Sequence, residues 1–152
     1  MSAVGHHHVA QAKAFLCWER FPGLAIQLVQ VEGPVSYFFA PRADRPAIVV
    51  FVPAQGDCRD ALFLLFHEVG HYLQYLELLA AGREAEYWRL VDLPSGQERQ
   101  RFESEAWQRG EEVLGEFVQS CLPDRVDLLA MYAECGREKA ASYAHVPAEG
   151  RP

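Results

Sequence analysis

The feature that most constrains this chain is one apolar run interrupted by three polar residues. Ala61-Leu62-Phe63-Leu64-Leu65-Phe66 leads into His67-Glu68-Val69-Gly70-His71, and Tyr72-Leu73 follows. Asp57 or Asp60 can cap the start of this segment, and Gly82 stands just past its end. The spacing therefore predicts one long buried helix reaching about Ala81. Histidines and a glutamate inside such a helix need partners, because polar groups withdrawn from water cost free energy unless they are satisfied.

The pattern His67-Glu68-Val69-Gly70-His71 offers such a partner. Two histidines four apart on a helix lie about 40° apart in projection, on one face. They can grip one tetrahedral zinc ion at about 2.0–2.1 Å per nitrogen. Glu68 stands beside the first histidine, where it can reach a water that the metal acidifies and take its proton. His67 and His71 are the expected metal ligands and Glu68 the expected catalytic base. Gly70 marks a place where substrate or another backbone approaches.

A third protein ligand is required. Downstream candidates include Glu77, Glu84, Glu86, Glu103, Glu105 and His145. Helical periodicity separates two of them. Along a predicted helix from about Gln97 to Ser120, Ala106, Trp107, Gly110, Val113, Leu114, Phe117, Val118 and Cys121 project within about 80° of Glu103. Glu103 is thus a carboxylate in an apolar stripe, and such a group asks for a cation. Glu105 projects about 200° away, with Arg109, Glu112 and Glu116 on the solvated face. Glu103 is the expected third ligand. The alternative for it is a buried salt bridge to an arginine such as Arg101.

Around these two helices the chain reads as a single domain over residues 1–152, with loose termini at 1–9 and 147–152. A short amphipathic helix is predicted from about Ala10 to Arg20, stopped by Pro22-Gly23. Three strands follow: Leu24 to Val31, with Ile26, Leu28 and Gln30 on one face, then Val35 to Ala40, then Ala47 to Val52. Glu32-Gly33-Pro34 and Pro41 to Pro46 read as the connections. A connector with a short helix near Glu84 to Leu90 and a last helix from Asp124 to Tyr143 complete the order. Helix, small three-stranded sheet, active-site helix and further helices make an α+β, zincin-like minimal domain.

The composition excludes several classes. Half of the 152 residues are apolar and about a quarter are charged, which is globular rather than disordered. The net charge of −7 and the lack of a Lys/Arg cluster argue against nucleic-acid binding. No apolar run reaches the roughly 18–20 residues needed to span a bilayer, so no membrane association is expected. With no signal-peptide pattern at the start, the expected location is the cytoplasm. Cys17, Cys58, Cys121 and Cys135 are scattered, so reduced thiols are expected rather than disulfides or a cysteine-rich zinc site. The tract His6-His7-His8 reads as a frayed, solvated terminus, with metal binding or a tag remnant as the alternatives.

Phe63 to His71 followed by Glu103-Ser104-Glu105-Ala106 resembles the ImmA/IrrE-type metallopeptidases. That family pairs a helical HExxH with a glutamate in an E-x-x-A context on the next main helix, after a small sheet. The resemblance covers roughly Leu24 to Cys121. It implies that His67, His71 and Glu103 bind zinc, that Glu68 is the base, and that the substrate is a protein, such as a repressor or a stress or mobile-element regulator. The chain departs from the family at Trp107, where an asparagine is usual.

Two readings follow. In the first, the protein is a zinc-dependent endopeptidase acting on a protein or peptide. Tyr72, Tyr75, Tyr143 and His145 are the candidates for stabilising the oxyanion. In the second, zinc is a structural staple of a non-catalytic binding module, with His145 or a cysteine as fourth ligand. Glu68 weighs against the second, because a structural site has no use for a base.

Overall fold

The structure is a computed structural model that describes residues 3–31, 35–39 and 46–144. The chain is α+β. The elements are α1 (His6–Ala14), which runs into a π-helical stretch (Phe15–Arg20), β1 (Ala25–Val31), β2 (Val35–Phe39), β3 (Ala47–Pro53), α2 (Arg59–Ala80), α3 (Glu84–Asp92), α4 (Gln97–Cys121), α5 (Asp127–Ala141) and a terminal 3-10 turn (Ser142–Ala144). No helix among the described residues is long and apolar enough to cross a membrane.

β3 is the middle strand of the sheet, parallel to β1 and antiparallel to β2. Its apolar residues alternate in burial, with Ile48, Val50 and Val52 buried. α2 packs against β2 and β3, and on its other side against α4. Ile26, Leu62, Leu65, Phe66, Leu114, Phe117, Leu128 and Tyr132 belong to this core. Burying a side chain the size of Leu or Phe is worth roughly 1.5–3 kcal/mol. A smaller aromatic cluster of Tyr75, Tyr87 and Phe102 forms beside it, with Phe38 of β2 packed on it.

α2 ends in a Schellman arrangement. Gly82 takes a φ of 70°, the Gly82 N–H donates to the Leu79 carbonyl at 3.0 Å, and the Arg83 N–H donates to Leu78 at 2.7 Å. Those bonds satisfy carbonyls that a helix end otherwise leaves open. At the start of α2, the Asp57 carboxylate accepts from the N–H groups of Arg59 and Val4, each at 3.0 Å.

Over the described residues 3–9, that contact corrects the expectation of a loose segment. The Cys58 N–H donates to the Val4 carbonyl at 2.7 Å, and Val4 and Val9 are buried. α1 begins at His6, not near Ala10, so the histidine tract forms its first turn instead of a frayed terminus. Residues 1, 2, 32–34, 40–45 and 145–152 lie outside the described residues, and with them the expected turn at 32–34, the connection at 41–45, the end of the second strand at 40, the segment 147–152 and His145. Gln30 is exposed rather than on the buried face of β1. The last helix starts at Asp127 instead of Asp124, because residues 122–125 form a turn in which the Arg125 N–H donates to Leu122 at 2.8 Å.

Candidate metal centre

The site forms where α2 and α4 cross closely. A Cβ on Gly70 would overlap the backbone of Ala106, and one on Gly110 would overlap the Phe66 carbonyl. Glycine at both positions lets the two backbones touch, so the approaching backbone at Gly70 is that of α4. The alanine of Glu103-Ser104-Glu105-Ala106 is the residue that Gly70 meets. One turn away along each helix, His67 and Glu103 are brought face to face.

His67 and His71 lie on one face of α2 and are both buried, as is Glu103. Oε2 of Glu103 sits 3.2 Å from Nε2 of His67 and 3.4 Å from Nε2 of His71. The three donor atoms all lie within 4.8 Å of one another. Donors of a tetrahedral zinc ion, each about 2.0–2.1 Å from it, stand about 3.3 Å apart. The two histidine–glutamate separations are close to that spacing, and two imidazoles and a carboxylate are a donor set for a metal ion. The structure therefore brings together all three residues expected from the sequence, and the cluster can bind a metal ion.

Each of these three side chains is held by neighbours. Nδ1 of His71 donates to Oε1 of Gln74 at 2.9 Å, because the Gln74 amide nitrogen is committed to the Phe102 carbonyl at 2.8 Å and to Glu105 at 3.2 Å. A proton fixed on Nδ1 leaves Nε2 as the metal-facing atom. The ring of His67 stacks on Trp107, with centroids 4.4 Å apart and planes 19° apart. Its Nδ1 is buried without a hydrogen-bond partner. The second carboxylate oxygen of Glu103 is paired with Nη2 of Arg99 at 2.6 Å.

The charge states follow from this packing. Burial works against ionising Glu103, but its hydrogen bonds to His67 and His71 and their charge hold its carboxyl far below the usual range. Burial also works to lower His71, yet the hydrogen bond and charge of Glu103, helped by Glu68 and Gln74, push it above the ordinary histidine value. His67 goes the other way, lowered by burial and by the neighbouring His71. Of the two imidazoles, His71 is the one whose surroundings favour the protonated form.

A cavity of about 310 Å³ opens on the cluster. Glu68 lines it together with His67, His71 and Glu103, and Phe38, Tyr87, Val91, Phe102 and Tyr143 supply most of the remaining wall. Of the oxyanion candidates, Tyr143 borders the cavity, whereas Tyr72 and Tyr75 pack against Phe38 instead of lining it. Among the described residues, none of the four cysteines joins the cluster and none forms a disulfide.

Three site residues escaped the sequence reading. Arg99, not Arg101, pairs with Glu103, and the signal was its position four residues earlier on the same helical face. Gln74 stands three residues after His71, again on one face. Tyr87 reaches the cavity from α3, and no local spacing announces that. Glu105 lies outside the cluster as expected, bonded to Arg109 and Gln74. Compared with family models, curated protein sequences and solved structures, the chain matches none.

Proposed function

We propose that the protein is a zinc-dependent metallopeptidase in which His67, His71 and Glu103 hold the ion and Glu68 is the general base. The observation that carries this reading is the convergence of Glu103 on both histidines of the HExxH pair from a separate helix. Zinc, when bound there, supplies Lewis acidity: it acidifies water and polarises a carbonyl. Glu68 takes the proton of the attacking water and returns it to the leaving amine. Gln74, by accepting from Nδ1, would leave Nε2 of His71 as the atom able to hold the ion. The aromatic wall suits an apolar side chain of a protein or peptide substrate.

The two motifs and the small sheet beside α2 support a zincin-like, ImmA/IrrE-like reading, with a repressor or stress or mobile-element regulator as substrate in the cytoplasm. The alternative is a binding module with zinc as a staple. Glu68 on the cavity wall favours the enzyme, because it borders the space beside the cluster that a substrate would enter.

The test is Glu68→Gln. Zinc content and thermal unfolding should match the wild type, while cleavage falls by about 10²–10⁴, the usual cost of losing a general base. Cleavage is read as new protein N-termini, by mass spectrometry, after incubation with soluble proteins with and without a chelator. Undiminished zinc-dependent cleavage by Glu68→Gln refutes the mechanism.

A further inference from the structure

Arg99 occupies an unusual place in this site. It lies in the first turns of α4, and its guanidinium is pinned by three elements. Nη2 pairs with Oε1 of Glu103 at 2.6 Å. Nη1 donates to the carbonyls of Leu90, at 3.0 Å, and Val91, near the C-terminal end of α3. The cation lies 5.1 Å from the centroid of the Tyr143 ring and 5.7 Å from that of Phe102. Carbonyls near a helix C-terminus attract a cation, and aromatic faces do the same. Arg99 is therefore oriented independently of Glu103.

The consequence falls on the two oxygens of the Glu103 carboxylate, which have different partners. Oε1 belongs to Arg99, and Oε2 faces both histidines. A free carboxylate can offer a cation either oxygen or both. One whose Oε1 is tied to a fixed guanidinium offers only Oε2, in one orientation. A planar donor fork is suited to that task, since its hydrogen bonds specify direction as well as charge.

We infer that Arg99 is a positioning residue for the metal site: it reserves Oε1 of Glu103 and so presents Oε2 as a single-atom ligand. The inference rests on the metal reading of the cluster, and it acts through Glu103 alone. The competing role is a structural tether between α4 and α3, which the bonds to Leu90 and Val91 would serve equally well.

A double-mutant cycle on the full chain separates the two, with zinc dissociation constants measured by chelator competition. Arg99→Met should weaken zinc binding by about 10- to 100-fold, the usual cost of losing a partner of a metal ligand. In a Glu103→Gln background the same substitution should cause no further loss. With cobalt in place of zinc, Arg99→Met should also weaken the visible absorption, as the released carboxylate binds through both oxygens and raises the coordination number. Equal losses in both backgrounds, or none in either, overturn the inference in favour of a tether. If Arg99→Met does not fold, Arg99→Lys keeps a cation at Glu103. It lacks the planar fork, so it should weaken zinc binding in the wild-type background and cause no further loss in Glu103→Gln, and equal losses in both backgrounds, or none in either, overturn the inference. Zinc binding that ignores Arg99→Met but is abolished by His67→Ala overturns this inference alone. Zinc binding that ignores His67→Ala overturns the metal reading as well.

Discussion

The protein carries two groups of histidines, and among the described residues only one of them converges with an acidic side chain into a cluster that could hold an ion. His6, His7 and His8 are consecutive in the first turn of α1. The rings of His7 and His8 pack together, with centroids 3.8 Å apart, but among the described residues the tract is not part of any cluster of three converging donor atoms. His8 spends Nδ1 on the Gly5 N–H at 2.9 Å, and Nε2 of His6 is buried without a hydrogen-bond partner. His67 and His71 are fewer, but they share a face, and a second helix sets a carboxylate against both. Convergence from two elements matters more than the number of imidazoles.

The largest expected effect breaks or keeps that comparison directly. Replacing His67 and His71 together by Ala should take bound zinc from about one ion per chain to none, as one HExxH site requires. Replacing His6, His7 and His8 by Ala should leave it at about one. Elemental analysis of the purified variants decides, and full occupancy without His67 and His71 would sink the assignment.

The carboxylates give the next effect. Glu103→Gln should weaken zinc by more than the roughly 10–100-fold typical of second-layer partners, because a neutral amide is a poor ligand for a dication. Glu105→Gln should stay near wild type, since its carboxylate meets the site only through Gln74. Chelator competition ranks the two, and the reverse order would mean that the wrong face of α4 had been chosen.

Gln74→Leu sharpens the contrast between His71, with its Nδ1 held, and His67, with its Nδ1 unpartnered. Losing that hydrogen bond should cost about tenfold in zinc affinity, at the low end for such partners. An unchanged affinity would show that packing alone orients His71.

The smallest effect is on the stability of the metal-free protein against pH. His71 is pushed above its ordinary value, chiefly by Glu103 against the opposing effect of burial. A base raised on folding stabilises the fold fully below its unfolded value, about 6.5, and that contribution fades as pH rises through the folded value. Thermal unfolding without metal should therefore move to lower temperature as pH climbs past about 6.5. Zinc affinity should move oppositely, tightening by up to about tenfold per pH unit while one proton leaves His71. A metal-free protein that gains stability over that range would contradict the charge state assigned to His71.

Much of the site was legible because it is written in helical spacing. His67 with His71, Glu103 inside an apolar stripe, and Glu105 outside it all follow from 100° per residue, and the burial of Glu103 agrees. Arg99 and Gln74 used the same spacing and were within reach. The N-terminal segment was misread because its polar histidines suggested solvent, while its order comes from Val4 bonding to Cys58 and Asp57, more than fifty residues away.

By itself, then, the sequence determined which side chains share a face of one helix, because the helix repeat converts spacing into direction without reference to anything else. Tertiary structure alone decided how closely two such faces approach. Gly70 against Ala106, Arg99 across to Leu90 and Val91, and Tyr143 rather than Tyr72 beside the cavity all depend on contacts between elements. Those contacts come from packing the whole core at once, and no local period encodes them.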